Sequence, residues 1–319
     1  MSASSPELLS PDAQGIARAA SILAAGGLVA VPTETVYGLA ADAANGRAVA
    51  RIFEAKGRPS FNPLIVHVPD VEAVGRIAVM TGAARTLADA FWPGPLTLAL
   101  PLRPDAGLSP LVTAGLATVA VRVPAHPVMR AVLEKLGRPV AAPSANPSGR
   151  ISATEAAHVL EGLGAAVDAV LDAGPCPVGV ESTILAPGEA GVRLLREGGI
   201  PREAVEAVAG PLTADLTPGR IEAPGQMERH YAPGVRLVLG GTPQPGEVTI
   251  GFGPGDADLS LSPSGDLVEA AARLFSVLHE ADAMARRTQA QAIRVAKVPD
   301  TGLGRAINDR LRRAAVPEA

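Results

Sequence analysis

Residues 27–39 read Gly27-Leu28-Val29-Ala30-Val31-Pro32-Thr33-Glu34-Thr35-Val36-Tyr37-Gly38-Leu39. A short apolar run is stopped by proline and followed at once by two threonines, a glutamate and a tyrosine. Such a run, entered from Gly26-Gly27, reads as a buried strand over Leu28–Val31. Its exit, Thr33 to Gly38, is where open α/β sheets commonly place ligands. The two threonines and the tyrosine offer directional hydrogen bonds to a small polar substrate. Taken alone, the same residues also make an ordinary polar turn.

Outward from this stretch the pattern alternates. Helical spacing covers 12–25, 47–55, 71–80, 83–91, 126–136 and 154–163, and a short helix starts at Pro201, where proline is tolerated in a first turn. Apolar or β-branched runs at 64–68, 96–100, 119–123, 140–142, 169–172, 182–185 and 192–195 read as strands. Residues 211–233 are rich in Pro and Gly with little apolar period, which predicts an interdomain linker. Beyond it come strands at 236–239, 248–252 and 293–298 and helices at 266–284 and 303–314. The chain therefore reads as α/β, with a larger domain over 12–210, a linker over 211–234 and a smaller α/β domain over 235–319.

The composition narrows the class. Hydrophobic residues make up 47% of the 319 but aromatics only 3%, so the core must be built from Ala, Val, Leu and Ile. The formal charge of −4 argues against a surface devoted to coating nucleic acid. One cysteine, Cys176, makes no internal disulfide and suits a reducing compartment. Residues 1–11 lack a basic and apolar leader, and no apolar run reaches the ~18–20 residues of a membrane span. A soluble, cytoplasmic protein is expected.

Further polar clusters follow along the chain. Lys56-Gly57-Arg58-Pro59-Ser60-Phe61-Asn62-Pro63 places a point cation beside a planar, bidentate one, a pair suited to phosphate oxygens or to a solvated loop. His67 lies in an apolar strand, as a satisfied core histidine or a ligand contact. In Ala141-Ala142-Pro143-Ser144-Ala145-Asn146-Pro147-Ser148-Gly149, small residues let backbone N–H groups approach a ligand closely. Arg122, flanked by valines, needs an anionic partner, a carboxylate of protein or of substrate. Val180-Glu181-Ser182-Thr183-Ile184, Arg196-Glu197-Gly198-Gly199-Ile200 and Arg229-His230-Tyr231-Ala232-Pro233 add cations and hydrogen-bonding groups. A Walker-type phosphate loop, a dinucleotide fingerprint, a His-Glu-x-x-His pair and a Gly-x-Ser-x-Gly elbow are all missing, so no generic motif announces ATP.

Taken in order, the run 27–39, Lys56-Gly57-Arg58-Pro59, Asn62-Pro63-Leu64-Ile65-Val66-His67, Trp92-Pro93-Gly94-Pro95-Leu96-Thr97 and Pro143-Ser144-Ala145-Asn146 resemble the YrdC/Sua5 family over about residues 15–210. The Arg229–Pro233 run and the segment after it resemble the linker and C-terminal domain of the Sua5 form. The resemblance implies a YrdC-like twisted mixed sheet with helices, plus a smaller, Rossmann-like Sua5 domain. It implies an enzyme that converts L-threonine, bicarbonate or CO2, and ATP to threonylcarbamoyl-AMP and pyrophosphate. A separate transferase complex would then modify adenosine 37 of tRNAs reading codons that begin with A.

By the same resemblance, Thr35, His67, Arg122, the backbone near Ala142, and Ser182 would hold threonine, with Arg122 on its carboxylate. Arg58, Asn62, Thr118, Ser144, Ser152, Arg196, His230 and Tyr231 would contact ATP. Lys56, Arg58, Ser144 and Asn146 would form the characteristic set around the phosphates and carbamate. Mg2+ would bridge the phosphates without a dedicated carboxylate cage. The linker departs from the family at Gly225-Gln226-Met227, where methionine usually follows glycine directly. Two rivals are a hydrogenase-maturation carbamoyltransferase, whose cysteine-rich segments one cysteine does not supply, and an RNA-binding module, which the acidic charge disfavours.

Overall fold

The structure is a computed structural model and describes residues 5–80, 82–213 and 222–317. Part of the expected linker, 214–221, lies outside the described residues. Local side chains set the element boundaries. Helix α1 (Ala13–Ala24) starts where Asp12 accepts a hydrogen bond from the Gly15 amide at 2.8 Å. Helix α2 (Gly46–Lys56) starts at Asn45 and ends at Gly57, whose φ of 58° is the left-handed cap that favours glycine. The helix expected over 71–80 is shorter: α3 (Val71–Ile77) stops because Ala78 turns extended and bridges to Leu102. Helices α4 (Gly82–Phe91), α5 (Pro110–Thr113), α6 (Pro127–Leu136), α7 (Ala156–Leu163) and α8 (Arg202–Ala209) complete this half.

Among the described residues ten strands form one mixed sheet. They are β1 (Glu7–Leu9), β2 (Val29–Val31), β3 (Gly38–Asp42), β4 (Ile65–His67), β5 (Leu96–Pro101), β6 (Thr118–Arg122), β7 (Val140–Ala141), β8 (Ala169–Leu171), β9 (Thr183–Gly188) and β10 (Gly191–Arg196). Their order is β1-β8-β2-β3-β7-β4-β6-β5-β9-β10. Strands β1 and β3 have no counterpart in the sequence reading. Gly38-Leu-Ala-Ala-Asp42 lacks the β-branched content that marks a strand, and tertiary pairing with β2 and β7 overrides its propensity. In β1 only Leu9 is buried, so a three-residue edge strand gives almost no pattern.

Side chains alternate between the two faces of the sheet. Leu39, Val66, Leu98, Val121, Ala141 and Leu185 belong to the main core, packed with α2, α4, α7 and α8. The opposite face is covered unevenly. Helices α1 and α6 pack on Val29, Val31, Ala40, Val140, Ala142, Ala169 and Leu171, the half from β8 to β7. Over β4, β6, β5 and β9 no helix contributes to the apolar cluster among the described residues; Ile65, Ala99, Ala120 and Ile184 group there with Ala186, Leu195 and Ala223 of the linker. Alanines there, in place of leucines, leave room above the sheet.

The remaining strands, β11 (Leu237–Leu239), β12 (Glu247–Gly251), β13 (Leu259–Ser260) and β14 (Ala292–Val295), form a parallel sheet in the order β11-β14-β12-β13. It packs with α9 (Leu267–Thr288) and α10 (Gly304–Ala314). Its core continues into Val36, Ile151, Val180 and Tyr231 of the preceding chain, so the two sheets share an apolar seam. The seam is tight at Gly179: φ is +73°, and a Cβ there would lie 2.3 Å from the Ala271 carbonyl oxygen on α9. Among the described residues no helix is long and apolar enough to cross a membrane.

Candidate active site

The uncovered half of the sheet carries a cavity of about 40 Å³. Thr35, His67, Arg122, Ala142 and Ser182 all line it. They arrive from separate elements: the β2–β3 turn, the ends of β4 and β6, the exit of β7 and the entry to β9. Register explains the convergence, because His67 pairs with Arg122 across parallel β4 and β6, and alternation turns both to the open face. Thr33 shapes the turn; its Oγ1 accepts from the Thr35 and Val36 amides and donates to the Val36 carbonyl at 2.6 Å.

Arg122 has a protein partner. Its Nη2 donates to Glu34 Oε1 at 2.5 Å, Nη1 to Thr35 Oγ1 at 2.9 Å and Nε to the Gly94 carbonyl at 3.2 Å. The buried guanidinium thus takes its counter-charge from a protein carboxylate, one of the two alternatives the sequence left open. Burial opposes the Glu34 charge, but Arg122 outweighs it and holds the carboxyl below its ordinary pKa. Arginine has five N–H donors and three are used here, so two remain for a second carboxylate.

The rest of the wall adds two cations, Arg58 and Arg196, beside the Glu181 carboxylate. Arg58, Ser144, Arg196, His230 and Tyr231 line the same cavity. Arg58 is braced by the Asn62 and Pro63 carbonyls, and Arg196 by the Ser182 and Pro224 carbonyls. Burial, followed by the neighbouring Arg196 charge, lowers Arg58 to about 9; burial lowers Arg196 to about 10. Both remain cations at neutral pH.

Lys56, Asn62, Thr118, Asn146 and Ser152 are not in the cavity wall. Lys56 lies beneath it, donating from Nζ to the carbonyls of Ser144, at 2.6 Å, and of Asn146. Burial and then Arg58 push its pKa well down. Asn146 donates to the Pro147 and Arg150 carbonyls and faces a second cavity near His158 and His279. Asn62 contacts Met227 Sδ at 3.4 Å, and Ser152 donates to Glu181 Oε1 at 2.6 Å. Thr118 opens β6 and pairs with Pro101, roughly 13 Å along the strand from Arg122.

The linker packs over the cavity. Ala223 is fully buried, Pro224 and Gly225 line the wall, and the Ala232 amide donates to the Gly149 carbonyl at 2.8 Å. Tyr231 adopts the left-handed region at φ 65°, held by His230 at 3.9 Å and Phe275 at 5.6 Å between ring centres. Three charged groups in or behind the wall had no role in the sequence reading. Glu34 and Glu181 stood inside quoted runs, where a strand-flanking carboxylate next to a buried arginine was the available signal. Arg310 of α10 gave none, since Arg310-Leu-Arg-Arg313 reads as a solvated helix face.

The histidines predict an acid sensitivity. Burial lowers His67 and His230 to about 3 and His158 and His279 to about 4, and lowers His126 as well. A group whose folded pKa is depressed binds more protons unfolded, so its stability is full above pH ~6.5 and is lost as pH falls. The lowered carboxyls of Glu34 and Glu181 add the same sign at lower pH. Urea midpoints should therefore fall steadily from pH 7 to 4; a flat profile rules this out.

Among the described residues no three His, Cys, Asp or Glu side chains gather as a metal site. Glu34 and Glu181 are both engaged by arginines. The residues present do not fit a protein-held Mg2+, and no step is assigned to one.

Known proteins match both halves of the chain. A family model described as Telomere recombination, covering Sua5, YciO and YrdC, matches residues 21–198. A second, described as Threonylcarbamoyl-AMP synthase, C-terminal domain, matches residues 200–316. A threonylcarbamoyl-AMP synthase of Bacillus subtilis is 43% identical, covering 97% of this chain and 95% of that one. The crystal structure of Pyrococcus abyssi Sua5 complexed with L-threonine superposes with a TM-score of 0.88 at 38% identity, covering 97% of each chain. Escherichia coli YciO, at 22% identity and a TM-score of 0.53, shares the fold over 60% of this chain.

Proposed function

The chain belongs to the Sua5 family of threonylcarbamoyl-AMP synthases, and on that premise we propose that its central cavity joins L-threonine, bicarbonate or CO2, and ATP. The observation that carries the reading is that an arginine able to take a second carboxylate shares one cavity with two cations suited to phosphate. The amine of threonine takes up CO2 as a carbamate. A carbamate oxygen then attacks the α-phosphorus of ATP and pyrophosphate leaves, giving threonylcarbamoyl-AMP. Thr35, His67, Arg122, the Ala142 backbone and Ser182 hold threonine. His67, lowered to about 3, stays neutral and is a hydrogen-bonding group rather than a counter-charge for the amine.

Arg58 and Arg196, with Ser144, His230 and Tyr231, take the nucleotide, while Lys56 and Asn146 hold the 143–150 loop in place. Asn62, Thr118 and Ser152 stand outside the wall, so their contact with ATP requires the linker to move. Positioning and charge neutralisation supply the catalysis. Mg2+ would arrive on the ATP phosphates and offset their charge. Residues 12–210 act as the catalytic domain, 211–234 as a linker and 235–319 as a domain that closes it. The product serves a tRNA threonylcarbamoyl transferase complex in the cytoplasm, acting on adenosine 37 of tRNAs that read ANN codons.

The test is pyrophosphate release from ATP with threonine and bicarbonate each withheld in turn. Release that needs both is expected. Turnover indifferent to threonine would reject the assignment, and tight salt-sensitive RNA binding without turnover would support an RNA-binding module instead.

A further inference from the structure

Helix α10 of the C-terminal domain grips the cavity from outside. Arg313 Nη1 donates to the Met227 carbonyl at 2.5 Å, and its own carbonyl accepts from the His230 amide at 3.3 Å. One turn earlier Arg310, with no exposed surface, donates from Nε to Glu181 Oε2 at 3.0 Å and from Nη1 to Asp309 at 2.9 Å. Its guanidinium carbon lies 5.4 Å from the centre of the Tyr231 ring. The other Glu181 oxygen accepts from Ser152.

Glu181 lines the cavity beside Arg58 and Arg196. A free carboxylate in a pocket that takes nucleotide phosphates would repel them and compete for the same guanidinium groups. Burial opposes the charge of Glu181, yet Arg310 and Arg196 keep it ionised. The carboxylate is therefore managed by position and pairing, not by protonation.

We propose that Arg310 is a positioning residue for the nucleotide site: it binds Glu181, turns that charge away from the ATP phosphates, and seats Tyr231 against the pocket. The C-terminal domain thereby completes the ATP site with a side chain from helix α10. This role rests on reading the cavity as an ATP site.

The experiment uses the full chain and measures ATP affinity by titration calorimetry, with KM for ATP and for threonine beside it. Arg310→Met should weaken ATP at least ~10-fold while threonine KM moves less than about threefold. Adding Glu181→Gln to that variant removes the unpaired charge, and ATP affinity should return to within about threefold of wild type. That rescue is what a merely structural bolt between domains does not give. If Arg310→Met does not fold, Arg310→Lys replaces it, with a smaller loss of ATP affinity that Glu181→Gln again reverses. An equal loss for both substrates, or no rescue in a double variant that melts like wild type, overturns the proposal. A wild type that binds ATP but releases no pyrophosphate with threonine rejects the synthase reading, and leaves the affinity comparison to judge Arg310 alone.

Discussion

Arg122→Ala should weaken threonine binding by at least ~30-fold, since truncating one member of a buried, hydrogen-bonded charge pair costs about 2–5 kcal/mol. The same change strands Glu34. Its Oε1 loses the 2.5 Å contact with Nη2, while the Ala125 and His126 amides still reach Oε2 at 3.2 and 3.3 Å. Breaking a buried pair by removing one partner costs about 3–5 kcal/mol of stability. Two losses from one substitution need separating, and Glu34→Gln does that. The double variant Arg122→Ala/Glu34→Gln should recover most of the melting temperature and none of the threonine affinity. Threonine affinity that returns with stability would show that Arg122 acts only as scaffold.

Lys56→Met should lower kcat/KM by about 100-fold, the scale of a catalytic group displaced by about 1 Å. The ammonium does not line the cavity; it ties the carbonyls of Ser144 and Asn146 from beneath. Methionine keeps most of the apolar stem and fills the volume, but it leaves two buried acceptors without that donor. The 143–148 loop would then set Ser144 in the wall less accurately. Steady-state pyrophosphate release reads the effect. A kcat/KM within about twofold of wild type would mean that the loop is held without Lys56.

Much of the fold was legible. The Leu28–Val31 run, the helical spacing over 12–25 and 47–55, and the proline stops placed most elements around the large sheet within a few residues. Strands β1 and β3 escaped because a short edge strand and an alanine-rich strand carry weak local signal and gain their state by pairing. The candidate site was legible as strings of polar residues at strand exits, and the order of those strings carried the family resemblance.

The sequence by itself therefore determined the α/β class, the polar strand exits and the identity of the cations. Tertiary structure alone decided which face of the sheet they occupy. In β5, Leu96-Thr97-Leu98-Ala99-Leu100 alternates plainly, yet only the placement of α1 and α6 over one half leaves the Thr97 and Ala99 side open. It also decided the partners of buried charge. Arg122 with Glu34 spans 88 positions and Arg310 with Glu181 spans 129, and neither spacing has a local period. Helix and strand periods are set by the backbone a few residues at a time, whereas a buried ion finds its counter-charge only after distant segments have excluded water around it.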